Sequence, residues 1–189
     1  DAILFDSNEV DHLDGLADRP RRLGRTQLLW VDFHRDSPVD LTDLVKAFDL
    51  HETTASYLTN PHERPVFFDH GHYIHITTYA PREDEEGELH AVECVVGENW
   101  VVTAHDEPIP VLEDFANRVS GSGDTGTLDG PSFLAALLEW VLGSYTAAFE
   151  RIEQGLEEFD VQAMSGDGTD KDIDVLISMR RQVGKLRRA

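Results

Sequence analysis

Apolar residues change their spacing once along this chain, and that change bounds what it can fold into. Up to residue 104 they recur in short runs with a period of two. Residues 26–33 read Thr-Gln-Leu-Leu-Trp-Val-Asp-Phe, with Leu28, Trp30 and Asp32 on one side and Leu29, Val31 and Phe33 on the other. A strand that is apolar on both sides is covered on both sides. From residue 133 the spacing becomes three and four: Leu134, Leu138, Val141, Tyr145, Ala148, Ile152, Leu156 and Phe159. That is the stripe of one long amphipathic helix over 133–159, roughly 40 Å in length. Ile173, Leu176, Met179, Val183 and Leu186 continue the pattern in a second helix, and the two are expected to pack as an antiparallel hairpin.

The first 120 residues contain the sheet. Residues 2–5 form a short apolar run suited to an edge strand, and residues 10–25 read as polar and irregular. After the Trp30 strand, Ser37-Pro38 opens a helix with Leu41, Leu44, Val45 and Phe48 as its apolar stripe, proline being at home in a first turn. A second short helix over 52–58 ends at Asn60-Pro61. Strands over 64–69 and 73–79 flank His70-Gly71, and strands over 89–96 and 100–104 flank Gly97-Glu98-Asn99. Residues 110–119 are helical. The resulting expectation is an α+β fold: an α/β/α sandwich with a mixed, largely antiparallel sheet over 1–120, a linker over 121–132 and a helical hairpin over 133–189.

Composition narrows the function. Asp and Glu number 37 against 16 Lys and Arg, for a formal net charge of −21. Such a surface repels a phosphate backbone and an anionic membrane, and it attracts cations. The single cysteine, Cys94, excludes an internal disulfide. The longest apolar run, 133–142, contains Glu139 and falls short of the ~20 residues of a membrane helix. The chain begins at Asp1 without an initiator Met, and its last helical pattern stops without Gly, Asn or Pro. Both features suggest part of a longer protein.

Several motifs carry potential chemistry. His70 and His72 stand two apart in Asp-His-Gly-His-Tyr-Ile-His; on a strand they would share a side and chelate a metal together. Zinc needs further ligands, for which Asp69 or His90 are candidates. Asp170, Asp172 and Asp174, with Asp167 nearby, take alternate positions of a calcium loop, but Val175 replaces its glycine and the closing Glu is missing. Residues 121–126 match G-x-G-x-x-G, yet a helix precedes them and Asp124 would repel phosphate. His105-Asp106-Glu107 lacks a nucleophile and reads as a strand entering a loop. No catalytic group can be assembled, so no enzymatic turnover is expected.

The order of segments resembles the CorA family of divalent metal-ion transporters. Leu29-Trp30-Val31-Asp32 is similar to that family's tryptophan strand, and Phe48-Asp49-Leu50-His51 with Arg64-Pro65-Val66 to its G-I-H-P…R-P-K stretch. Residues 97–105 resemble its G-x-N-x-L-I-T-V-H hairpin, residues 133–159 its acidic willow helices, and residues 178–188 the start of its stalk helix. The resemblance implies the soluble cytoplasmic part of a homopentameric channel for hydrated Mg2+, or for Co2+, Ni2+ or Zn2+. The parent would sit in the cell membrane through helices not present here, with self-association as its partnership and no role for nucleic acid. One departure stands out: where the family places a metal-sensing carboxylate, this chain has Ala55-Ser56-Tyr57, and tyrosine is a poor ligand for a hard cation. Gly143-Ser144 likewise replaces an acidic pair of the willow helix. The competing expectation is a freestanding metal-dependent enzyme or metal-binding domain built on His70 and His72; a helical interaction module is a third.

Overall fold

The computed structural model of the chain describes residues 1–6, 9–35, 41–60, 64–82, 89–121, 129–165 and 170–187, without the side chains of 162, 163, 165 and 170–174. Seven strands run β1 Ala2–Asp6, β2 Glu9–Leu13, β3 Leu28–His34, β4 Phe67–Asp69, β5 Ile74–Pro81, β6 Leu89–Val96 and β7 Trp100–His105. Among the described residues a short 3-10 helix, Leu16–Asp18, and five α-helices accompany them: α1 Leu41–Phe48, α2 Glu52–Thr59, α3 Pro110–Gly121, α4 Gly130–Ser165 and α5 Asp170–Leu186. The strands form one sheet in the order β2-β1-β3-β7-β6-β5-β4. Its neighbours are antiparallel except β3 and β7, which run parallel with Trp30 opposite Val101 and Asp32 opposite Thr103.

Helices cover both sides of this sheet, as two-sided apolar strands require. On one side Phe5, Leu28, Trp30, Val92, Cys94 and Val101 meet Leu112 and Phe115 of α3 and Phe133, Leu137 and Val141 of α4. Trp30 is the hub, in ring contact with Phe115 (5.9 Å, edge-on) and Phe133 (5.2 Å). On the other side Leu29, Val31, Phe33, Val95 and Val102 meet Leu16, Leu44 and Phe48 of the first helical segments and Leu58 of α2.

The sequence reading differs from the structure at three points. Residues 9–13 form an edge strand although 10–25 read as irregular; Glu9, Asp11 and His12 are exposed and only Val10 and Leu13 are half-buried, so burial left little apolar signature to read. Strand β4 is confined to Phe67–Asp69, with residues 61–63 outside the described set. Helix α4 is longer than its apolar stripe, and Gly130–Val161 is long and apolar enough to cross a membrane by length and composition. The uninterrupted run 133–142 did not suggest this. Packing assigns its first turns to the core, because Phe133, Leu134, Leu137 and Val141 are buried against the sheet.

Gly130 fixes where α4 begins. Its N–H donates to the Glu98 carbonyl (2.8 Å) in the β6–β7 turn. A side-chain carbon at Gly130 would collide with the Gly97 carbonyl oxygen, so only glycine lets the helix start this close to that turn. Beyond the sheet α4 and α5 pack antiparallel, with Leu186 joining Ala148 and Ile152. Met179 lies so close to Gly155 that a side-chain carbon there would strike its methyl group.

Candidate functional site

Helix α2 is the element around which the titratable side chains collect. It is held at its start by a histidine-rich turn and at its end by a buried ion network.

The turn joins β4 to β5. His70 N–H donates to Tyr73 O (3.0 Å), Gly71 takes a positive φ of 84°, and Asp69 Oδ1 accepts from Gly71 N–H (2.8 Å). Residues 70–73 are therefore a tight turn rather than strand, so the shared side expected for His70 and His72 does not arise from strand pleating. Each instead packs separately on the ring of Tyr73, its imidazole centroid 4.7 Å away, His70 tilted and His72 edge-on. Tyr73 Oη accepts from His51 N–H (2.9 Å) and pairs with Thr54 Oγ1 (3.0 Å), which in turn meets His70 Nε2 (3.3 Å). His51 caps α2, its Nδ1 accepting from Thr53 N–H, and its ring stacks on His70 at 5.1 Å. His72 Nε2 donates to the carbonyl of Asp49, a residue at the left-handed φ of 50°. Partial burial, then the imidazoles of His51, His75 and His72, hold His70 below the usual histidine pKa, against a smaller opposite pull from Asp69.

At the other end of α2, Arg35 donates through Nε to Leu58 O (2.9 Å) and through a terminal nitrogen to Tyr57 O (3.4 Å). These are carbonyls of the helix C-terminus, where a cation is favoured. The same guanidinium pairs with Asp106 at 2.8 Å and approaches Glu93 at 3.9 Å. Glu93 is fully buried and accepts at Oε2 from Thr77 Oγ1 (2.7 Å) and from His75 Nε2 (3.0 Å). Its Oε1 and the Nδ1 of His75 have no hydrogen-bond partner among the described residues. The ring of Tyr57 lies against Phe68 and His75, edge-on at 5.4 and 5.5 Å. Tyr57 thus packs onto this network.

On the opposite side of the sheet lies a constellation that sequence reasoning missed. Trp30 Nε1 donates to Thr103 Oγ1 (3.0 Å), and Thr103 donates to Asp32 Oδ1. His105 Nε2 meets Asp32 Oδ2 at 3.2 Å, and its Nδ1 meets the Glu107 carbonyl at 2.6 Å. A carbonyl only accepts, so Nδ1 carries hydrogen; the carboxylate accepts at Nε2, so the ring is an imidazolium. Burial pulls His105 down, but the Asp32 hydrogen bond and charge and the Glu107 carbonyl outweigh it and raise its pKa, with Arg35 opposing. Burial pushes Asp32 up, but the hydrogen bond and charge of His105 and the Thr103 hydroxyl take it below the usual carboxylate range. Both nitrogens of His105 are engaged, which suits a structural ion pair and leaves no free base. The available signal was parity: Trp30 and Asp32 on one strand, Thr103 and His105 on another, each two apart.

Other candidates are not brought together. His90 pairs with Ala80 across β5–β6, at the far end of β5 from the turn. Asp167 and residues 122–126 of the glycine motif lie outside the described residues. Asp170, Asp172 and Asp174 fall in the first turns of α5, where only the backbone is described. Among the described residues no group of three or more His, Cys, Asp or Glu is placed to hold a metal ion.

The fold is shared with solved structures. The full-length CmaX protein aligns with a TM-score of 0.76 at 14% identity, covering 99% of this chain and 58% of that one. The complete CorA magnesium transporter of Methanocaldococcus jannaschii aligns with a TM-score of 0.77 at 18% identity, with the same coverages of 99% and 58%. The ZntB cytoplasmic domain from Vibrio parahaemolyticus aligns with a TM-score of 0.68 at 16% identity over 99% of this chain and 76% of that one. The chain therefore spans less than two thirds of the two full-length relatives. No curated protein sequence matches it. The family described as CorA-like Mg2+ transporter protein matches residues 25–189, which include the Trp30 strand, the β6–β7 hairpin and both long helices. The chain belongs to the CorA-like Mg2+ transporter family.

Proposed function

We propose that this chain is the cytoplasmic regulatory and funnel domain of a homopentameric divalent-cation transporter. Its pore is formed by segments outside residues 1–189, in the cell membrane of the parent protein. The observation that carries this reading is the family match over 25–189, on a fold shared with soluble domains of CorA and ZntB. Mg2+ is the favoured cargo, with Co2+, Ni2+ or Zn2+ as alternatives. A net charge of −21 supports a surface that concentrates cations and disfavours nucleic acid. The domain has no enzymatic turnover; its ion pairs tie helices to the sheet. The test is vesicle uptake by the protein from its full reading frame. Mg2+ or Co2+ influx that needs the membrane segments is the expected result. Metal-dependent hydrolysis by residues 1–189 that disappears in His72→Ala would overturn it in favour of an enzyme.

Regulation by cations in this reading is diffuse. Tyr57 provides no carboxylate, so divalent ions act on the acidic stretches 150–160 and 167–174, with Asp167, Asp170, Asp172 and Asp174 as the densest group. Exposed charges are screened over ~8–10 Å near physiological ionic strength. Stabilisation by Mg2+ in thermal melting is therefore expected to fade in ~0.5 M potassium chloride. Stabilisation that survives salt and is abolished by Asp172→Asn would show a specific carboxylate site instead.

A further inference from the structure

Helices α4 and α5 leave part of their apolar surface uncovered. They pack antiparallel through Ala148, Ile152 and Gly155 on α4 and Met179 and Leu186 on α5. Beside that contact Phe149 and Leu156 stand seven residues apart on α4, and Leu176 and Val183 seven apart on α5. All four are between 37% and 42% exposed. A seven-residue apolar repeat is the pattern of a seam that packs on another helix. At about 100° per residue, each stripe lies roughly 60–70° round its helix from the contact between the two. The displacement has the same sense on both, taken from N- to C-terminus. Because the helices run antiparallel, equal senses bring both stripes to one side of the hairpin. Together they line a shallow apolar groove between α4 and α5.

The borders of the groove carry opposite charge. Each stripe residue is followed four positions later by a charged one: Glu153 and Asp160 on α4, Arg180 and Arg187 on α5. Residues four apart are neighbours on a helix surface, so α4 supplies an acidic border and α5 a basic one. All four charged side chains are exposed, and none has an ion-pair partner among the described residues. A partner of one charge would be repelled by one border. The occupant that matches both is a surface with the same two borders.

We propose that this side of the hairpin is a two-fold docking surface for a second copy of the chain. A two-fold contact joins a surface to itself. With the axis along the hairpin, α4 of each copy lies over α5 of the other; the stripes close into a four-helix bundle, and acidic borders meet basic ones. With the axis across the hairpin, α4 would lie over α4, setting Glu153 and Asp160 against themselves. The charges select the first arrangement. Leu142 continues the stripe of α4 but lies about 9 Å nearer the sheet than Ala148, above the stretch along which α5 is packed, so it stays outside the pair. Four apolar side chains from each copy make a small interface, and the pair forms and dissociates with concentration. This inference does not rest on the transport reading. It makes pairs and not rings of five, because one partner occupies the whole surface.

The experiment is sedimentation velocity on residues 1–189 from micromolar to near-millimolar concentration. The mass is expected to double as concentration rises. Phe149→Ser, the double variant Glu153→Lys/Asp160→Lys and the double variant Arg180→Glu/Arg187→Glu are each expected to weaken association at least ~tenfold, since symmetry changes every contact twice. An equimolar mixture of the two charge-reversed variants is expected to pair again, because each then meets its opposite, and Leu142→Ser is expected to pair like the parent. A monomer at every concentration, or pairing that neither reversal weakens, would overturn the proposal. So would a mixture that stays monomeric. A pentamer would overturn it too, while leaving the transport reading in place.

Discussion

The sheet end and the hairpin end of this molecule are built to different standards. Around Trp30 the long helix α4 buries Phe133, Leu134, Leu137 and Val141 against β3, β7 and α3. Past Tyr145 the same helix buries only Ala148 and Ile152, with Leu186 of α5 as their partner among the described residues. Leu142 is 65% exposed and Met164 91%, and Phe149, Leu156 and Val161 are exposed beside them. One helix is thus a core element for its first turns and, for the rest, an exposed one on which acidic side chains alternate with uncovered apolar ones. Stability is expected to reside at the sheet end, and the hairpin to open at lower free energy.

Substitutions can break that contrast. Trp30→Ala removes the ring shared by Phe115 and Phe133 and leaves Thr103 without its indole donor; a loss of about 3–5 kcal/mol in denaturant unfolding is expected. A loss under ~1 kcal/mol, as at an ordinary surface position, would show that the sheet end is not the stable half.

The Asp32–His105 pair gives the next effect and a pH signature. His105 has a raised folded pKa, so its contribution is fully present below the unfolded value near 6.5 and is lost as pH rises through the folded pKa. Asp32 has a lowered folded pKa, so its contribution is present above the unfolded value near 3.9 and is lost as pH falls through the folded one. Asp32→Asn leaves an unpaired buried imidazole. It is expected to lower stability by about 3 kcal/mol near pH 6 and to flatten the alkaline decline, read from melting temperatures between about pH 6 and 9. An unchanged alkaline decline would remove the pair from the account. His70 is expected to act with opposite sign: its lowered pKa makes stability fall as pH drops below about 6.5.

Smaller effects are expected along the hairpin. Ile152→Ala meets few buried neighbours and is expected to cost less than the ~2 kcal/mol at the low end for a core isoleucine. A cost equal to that of Leu137→Ala would mean that the hairpin belongs to the same cooperative unit. Leu142→Ser, at a widely exposed position, is expected to stay within about 0.5 kcal/mol in chemical denaturation; a larger loss would show that this surface is covered in solution.

Much of the sheet end was legible because burial writes a period into sequence. The doubled apolar pattern of β3 announced cover on both sides, and helices supply it on both. Strand β2 left no such trace, since Glu9, Asp11 and His12 face water. The candidate sites were harder for a different reason. Asp32 and His105 lie 73 positions apart and meet only because β3 and β7 run parallel, a pairing that no local pattern encodes. His70 and His72 were visible as residues, but their roles depend on a tight turn and on an Asp49 carbonyl 23 positions away from His72. Chemistry assembled across strands is read from topology, and topology is the least local property of a chain.

Gly130 gives the long helix a mechanical character. With no side chain between the start of α4 and the Gly97 carbonyl, the helix rests backbone to backbone on the β6–β7 turn. A helix of 36 residues reaches roughly 54 Å at 1.5 Å per residue. Pivoting by about 5° at that contact would sweep its far end through roughly 5 Å, by the geometry of a rod of this length. The glycine is in that sense the foot of a lever: a small change in the angle at which the helix leaves the sheet becomes, at its tip, a movement nearly as large as one helical turn.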